Sequence, residues 1–156
     1  MRVHAMLDRL DKKLLQALNA NARSSNAELA STVGLTPTPC LRRLRRLEHA
    51  GVVRAYRPVV DFEKLGFGIA ALAFVKLQRN SVENGRNFEE AVTALPCVTE
   101  CCVVAGSHDY VLRIVARSLG EYERLLKHEL AAIDTVADIE STIILKQVDC
   151  SGELPV

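Results

Sequence analysis

The 156 residues are 49% hydrophobic and 25% charged, the balance of a globular chain, with room for one ordinary domain or two small ones. The net charge of +1 hides two regions of opposite sign: residues 1–60 carry eleven Lys/Arg against four Asp/Glu, and residues 61–156 carry nine against fifteen. No apolar run exceeds Ile69 to Val75 and the start lacks the apolar centre of a signal peptide, so the sequence speaks against a membrane protein and for a cytoplasmic one with two domains that meet different partners.

Residues 8–20 read as a first helix. Asp8 is placed to cap it, Asp11 sits well near its positive end, and Leu10, Leu14, Leu15 and Leu18 repeat at helical spacing. After a polar loop, Ser25-Asn-Ala-Glu28 is a capping box that opens a second helix from Asn26 to Val33. Gly34 allows a tight turn into GLTPTPCLRRLRRLEHAG, the stretch that organises the first domain. Thr36 stands at the N-cap, Pro37 at the first helical position, and Gly51 at the C′ position. Cys40, Leu44 and Leu47 share one face of this third helix, Arg42, Arg45 and Arg46 point roughly the other way, and Arg43 lies between. Within the stretch only Glu48 offers a countercharge to four arginines, which points to a polyanionic partner rather than a merely solvated face. Two short helices joined by a glycine turn, the second apolar inside and basic outside, form the helix-turn-helix pattern, whose second helix enters the DNA major groove. The expected DNA-facing residues are Thr36, Thr38, Arg42, Arg43, Arg45, Arg46 and, in the following stretch, Arg54.

Val52 to Val60 reads as extended, either a small wing or a connecting strand, and residues 61–68 as a linker. Domain boundaries are therefore expected at 1–60 and 69–156. Beyond Gly68 the pattern predicts a strand over 69–78 with both faces apolar, a helix over 85–94 ended by Pro96, strands over 98–105 and 110–116 joined by the Gly106-Ser-His-Asp109 turn, and a helix opened by the Ser118–Glu121 capping box and running to Ile133. A last strand lies within 136–148. The order β-α-β-β-α-β is that of a ferredoxin-like sandwich, making the whole chain α+β. Helices cover one sheet face only, so a sheet apolar on both faces calls for a second subunit on the other. His108 reads as a solvated turn residue and Tyr110 as an amphipathic core residue. The five cysteines match no zinc spacing and, in a reducing compartment, read mostly as small buried hydrophobes. No nucleophile–base pair, metal cluster or phosphate loop stands at motif spacing, so neither catalytic residues nor a metal or cofactor are expected.

These segments resemble the Lrp/AsnC family of prokaryotic transcription regulators. The resemblance rests on LDRLDKKLLQAL, on NAELASTVGLTPTPCLRRLRRLEHAGVV and on AGSHDYVL, which fits a G-x-x-D-x-x-L turn, and it covers nearly the whole chain. LTPTPC is closest to the leucine- and cysteine-responsive subgroups, and Met6 is the expected natural start. The resemblance implies a DNA-binding first domain, a second domain that takes a small effector, often an amino acid, and dimers built through the second domain that assemble into octamers. It maps the effector response onto Val103, Gly106, Asp109, Leu119, Thr142, Ile143 and Ile144. Chemistry adds Ser141, whose hydroxyl, like that of Thr142, could bind a polar ligand. Gly106 would admit a ligand carboxylate to the backbone and Asp109 would accept from an α-ammonium. Taken alone, the Gly106–Asp109 stretch also reads as a plain hairpin turn. The expected function is therefore a sequence-specific, effector-modulated DNA-binding regulator. The competing one is an amino-acid sensor that regulates an enzyme by protein contact, its basic helix then binding protein.

Overall fold

A computed structural model describes residues 7–148 and 154–155; Met6, the expected natural start, lies outside them. The described residues divide into two units, 7–59 with 154–155, and 60–148.

The first unit is built on three helices, α1 (Arg9–Ala20), α2 (Asn26–Val33) and α3 (Pro37–His49). Both predicted starts of α1 and α2 are capping boxes. Asp8 accepts from the Asp11 N–H while the Asp11 carboxylate accepts from the Asp8 N–H, and Ser25 and Glu28 do the same for α2. Gly34 ends α2 with φ +75° and Gly51 follows α3 with φ +69°, the left-handed backbone that glycine adopts without strain. The core comprises Leu14, Leu15, Leu18, Leu29, Ala30, Val33, Cys40 and Leu47, all buried. Leu154, which the sequence places in the second domain, packs against this cluster.

Residues 52–60 form no strand, so the unit is a helix-turn-helix without a wing. A wing is a pair of strands, and nothing in this helical unit offers an edge for residues 52–60 to pair with. The Val52 and Val53 N–H groups turn back onto the Leu47 carbonyl instead.

The second unit begins with a compact turn where a linker is expected: the Phe67 N–H donates to the Phe62 carbonyl, the two rings meet edge to face at 6.2 Å, and Arg117 lies over Phe67. Then come β1 (Ile69–Leu77), α4 (Val82–Thr93), β2 (Val98–Val103), β3 (Tyr110–Ala116), α5 (Leu119–Leu125) and β4 (Val136–Ile143). The antiparallel sheet has the order β2-β3-β1-β4, the ferredoxin-like arrangement predicted. Helix α4 starts three residues before the predicted Gly85, because the Ser81 hydroxyl caps it by accepting from the Asn84 N–H. Helix α5 is shorter than predicted and widens into a π-helical turn over Leu126–Leu130, where the Ala131 N–H reaches back to the Leu126 carbonyl. The Ser118 hydroxyl caps α5, but the Glu121 carboxylate accepts from the Arg117 N–H, one residue before the expected capping-box donor.

Ala71, Ala73, Val75 and Leu77 of β1 point to the helices and bury against Phe88, Val92, Leu112, Ile114, Tyr122, Leu125 and Leu130. The alternate residues Leu72 and Phe74 point away from the helices with their cross-strand neighbours Val111 and Arg113, and all four are half-buried. Among the described residues no helix is long and apolar enough to cross a membrane.

Among the described cysteines Cys40 is buried, Cys97 half-buried, and Cys101 and Cys102 exposed, contrary to the expectation that most are buried; Cys150 lies outside the described residues. Both lie on β2, an edge strand whose outer side no strand covers.

Candidate functional site

Helix α3 is held against α1 and α2 by three devices. Its buried face carries Cys40 and Leu47, both at most 1% exposed. The Asn26 side-chain amide donates to the Pro37 carbonyl at 2.9 Å, tying the start of α3 to that of α2. An ion-pair network then joins α3 to the start of α1. Arg43 donates to Asp8 and, at 2.9 Å, to Asp11, while Arg46 donates to the other oxygen of Asp11. The Asp11 side chain is fully buried, Arg43 is 24% exposed and Arg46 is 57% exposed.

This network revises the charge count made from sequence. Two acids from α1 neutralise two of the four arginines, and the one acid on α3, Glu48, is occupied by the Tyr56 hydroxyl at 2.8 Å. Arg46 therefore does not stand free opposite the apolar face, and Arg43 is turned toward α1. Arg42, Arg45 and Arg54 are exposed and carry no ion pair to any described residue. Thr36 and Thr38 are exposed at the start of α3. Thr36 occupies the N-cap but makes no side-chain cap bond. Pro39, at the third helical position, removes one of the two N–H groups that a capping hydroxyl normally meets.

In the second unit the β2–β3 turn is braced from within. The Asp109 N–H donates to the Val75 carbonyl and the Asp109 carbonyl accepts from the Val104 N–H, both at 2.9 Å. The Asp109 carboxylate accepts from the Leu77 N–H at 2.8 Å and from Asn80 Nδ2 at 2.9 Å. Both its oxygens are thus engaged within the protomer, which the sequence reading, assigning this carboxylate to a ligand, did not foresee. His108 is no solvated turn residue: it packs on Phe74 with ring centroids 5.7 Å apart, and its Nε2 lies 3.6 Å from Glu140. The N–H groups of residues 105–108 meet no acceptor among the described residues. Gly106 has an ordinary negative-φ backbone, and a Cβ there would touch nothing within 4 Å.

The expected effector residues fall into two groups. Val103, Gly106 and Asp109 lie at the β2–β3 turn. Leu119, Thr142, Ile143 and Ile144 lie at the opposite end of the sheet: Ile143 pairs with Ala71, whereas Tyr110, next to the turn, pairs with Val75. Four residues of β1 separate those pairings, roughly 13 Å. Ser141 lies between them and is taken by the Tyr122 hydroxyl at 2.9 Å. Val103 and Leu119 are 70% and 61% exposed. One protomer does not bring these residues into a common pocket. A groove of about 330 Å³ in the second unit is lined by Leu126, Lys127, Ala131, Val136, Ala137, Asp138 and Ile139, none of which the sequence reading singled out as a site residue. The π-helical turn that forms one wall of this groove has no signature at the level of residue spacing.

Residues 7–48 match the model of the AsnC-type helix-turn-helix domain and residues 70–154 that of the Lrp/AsnC ligand binding domain. The chain belongs to the Lrp/AsnC family. It is 36% identical to the leucine-responsive regulatory protein of Rhizobium meliloti over 95% of each chain, and 38% identical to the Bkd operon transcriptional regulator of Pseudomonas aeruginosa over 92% of this chain and 94% of that one. A transcriptional regulator from Neisseria meningitidis, solved as a complex with L-Met, superposes with a TM-score of 0.87 at 34% identity over 96% of each chain. As a member of the Lrp/AsnC family this protein is a transcription regulator, with a DNA-binding helix-turn-helix unit and a ligand-binding unit, and not an enzyme.

Proposed function

We propose that the protein grips duplex DNA through α3, with Arg42 and Arg45 as the principal groove contacts, Thr36 and Thr38 at the phosphates beside the helix start, and Arg54 as a flanking phosphate contact. The observation that carries this reading is the pair of exposed arginines, one helical turn apart, with no acid against them among the described residues. Arg43 and Arg46 serve chiefly to hold the helix. A gel shift with random duplex at low salt tests the reading: a retarded complex supports it, and none at any protein concentration up to tens of micromolar rejects it.

The active form is a homodimer, closed through the sheet face bearing Leu72, Phe74 and Val111, and dimers associate further into octamers. Half-buried apolar side chains on a face that no helix covers support the dimer.

The effector is a free amino acid bound at the β2–β3 turn. Its carboxylate meets the N–H groups of residues 105–108, and a second copy supplies the Leu119 and Thr142–Ile144 side of the site. Gly106 supports this reading, because neither backbone strain nor crowding within the chain calls for a glycine there; close approach from outside does. The Neisseria regulator's L-Met ligand supports an amino acid as the class. A thermal-shift screen of the twenty amino acids should raise the melting temperature with a subset of them. Gly106→Ala should leave the unliganded melting temperature unchanged and abolish that rise. An unaltered ligand response in Gly106→Ala would place the site elsewhere.

A further inference from the structure

Asp11 is the one buried charged side chain among the described residues of the helical unit's core. A buried carboxylate persists only when its charge is met. Here one oxygen accepts from Arg43 at 2.9 Å and the other from Arg46 and from the Asp8 N–H. Asp8, half-exposed, takes a second bond from Arg43 and accepts from the Asp11 N–H at 2.8 Å. Arg43 Nη1 bridges one oxygen of each carboxylate and Arg46 Nη2 takes the other Asp11 oxygen, so both guanidinium groups already spend donors on anionic oxygens of the kind a DNA phosphate would offer. Asp8 caps α1 and Asp11 lies in its first turn, so they withdraw charge from the recognition helix without lengthening or interrupting it.

We infer that Asp8 and Asp11 act as resident phosphate substitutes that set the sequence-independent part of DNA affinity: they hold Arg43 and Arg46 away from the DNA backbone, so that this part stays weak while Arg42 and Arg45 keep a fixed presentation. This rests on α3 being the DNA-reading helix. Non-specific affinity scales with the number of phosphates a protein neutralises, each adding about 0.9 to the slope of log affinity against log salt. Two captured arginines therefore subtract from the affinity for every sequence alike. The more exposed Arg46 is the one a phosphate reaches first once the Asp11 carboxylate is removed by substitution. Capture also fixes the rotation of α3 about its axis, because Arg43 and Arg46 sit three residues apart and both anchor to one carboxylate.

The test is a fluorescence-anisotropy titration of random-sequence duplex by the full chain across a series of salt concentrations. Asp11→Asn keeps the shape and removes the charge. It should bind random duplex several-fold more tightly at low salt, with a slope steeper by about one to two. Adding Arg43→Gln and Arg46→Gln to Asp11→Asn should return the slope to the wild-type value. Asp8→Asn guards against loss of folding in the buried variant, since asparagine caps a helix as well as aspartate does and the site is partly exposed. Asp8→Asn, which leaves Arg43 only its Asp11 bond, should steepen the slope by about half to one, an increase that Arg43→Gln cancels. A merely structural role would weaken binding and leave the slope alone. Folded Asp8→Asn with the wild-type slope overturns the inference while leaving α3 as the reader; wild-type protein that fails to bind duplex overturns both.

Discussion

Gly85 and Gly106 are two glycines kept for different reasons. Gly85 is buried inside α4, where glycine costs about 1 kcal/mol against alanine, yet a Cβ there would lie 2.9 Å from the Tyr110 hydroxyl oxygen. That hydroxyl cannot easily withdraw. It donates to Glu89 at 2.9 Å and its ring packs on Phe88 with centroids 4.7 Å apart. Gly85→Ala is therefore expected to destabilise by about 1–3 kcal/mol, as overpacking does, and Tyr110→Phe, which removes the oxygen, should restore much of the loss in the double variant; urea unfolding of the four proteins measures the coupling. Another residue-scale consequence concerns acid. The Asp8 carboxyl is held below its ordinary 3.8, first by the Asp11 N–H and then by Arg43, and Glu28 below its ordinary 4.5 by the Ser25 N–H. Both folded values are depressed, so the stability they contribute is present above the ordinary values and is lost as pH falls through the lower folded ones. Thermal melts from pH 7 to pH 3 should show a falling midpoint below about pH 4, and Asp8→Asn should shrink that fall.

Among the elements, the two helix starts of the helix-turn-helix make a controlled contrast. Ser25 caps α2 through its hydroxyl, whereas Thr36 caps α3 by position only. Ser25→Ala should cost about 1 kcal/mol, and Thr36→Ala only a few tenths, by denaturant unfolding. Equal costs would mean that the Thr36 hydroxyl does form a cap bond in solution. Most element boundaries were legible in the sequence because their signals are local: the Ser25–Glu28 box, the Gly34 and Gly51 stops, the continuous apolar run from Ile69 to Val75. What escaped depends on residues far apart in the chain. No inspection of α3 reveals that Asp11, more than thirty residues upstream, claims Arg43 and Arg46, nor that Asn80 and the Leu77 N–H claim Asp109. The absence of a wing over 52–60 was illegible for a related reason. Extended propensity does not say whether a partner strand exists. For the candidate sites, helical phase separates Arg42 and Arg45 from the apolar face but cannot show which arginines are already paired. The effector list came from resemblance, and one protomer scatters it across both ends of the sheet.

Viewed as a whole molecule, the chain joins a basic helical unit to an acidic sheet unit whose one face stays open. Phe74 stands on that face beside Val111 and His108. If the proposed dimer closes through this face, the wild-type protein should sediment as a dimer and Phe74→Glu as a monomer with the far-ultraviolet spectrum unchanged; a dimer that persists in the variant would put the interface elsewhere. If effector and DNA are coupled, they are coupled reciprocally, each changing the other's affinity by the same factor.

The central claim, that this regulator reads DNA with Arg42 and Arg45 of α3, is tested most directly by one titration. A duplex enriched from a random pool by the wild-type protein is titrated with wild type, Arg42→Ala and Arg45→Ala. The account predicts that each substitution weakens binding to this duplex by about 5- to 150-fold, the 1–3 kcal/mol of a lost base contact, with the fold intact. Affinities within twofold of wild type for both variants would contradict it.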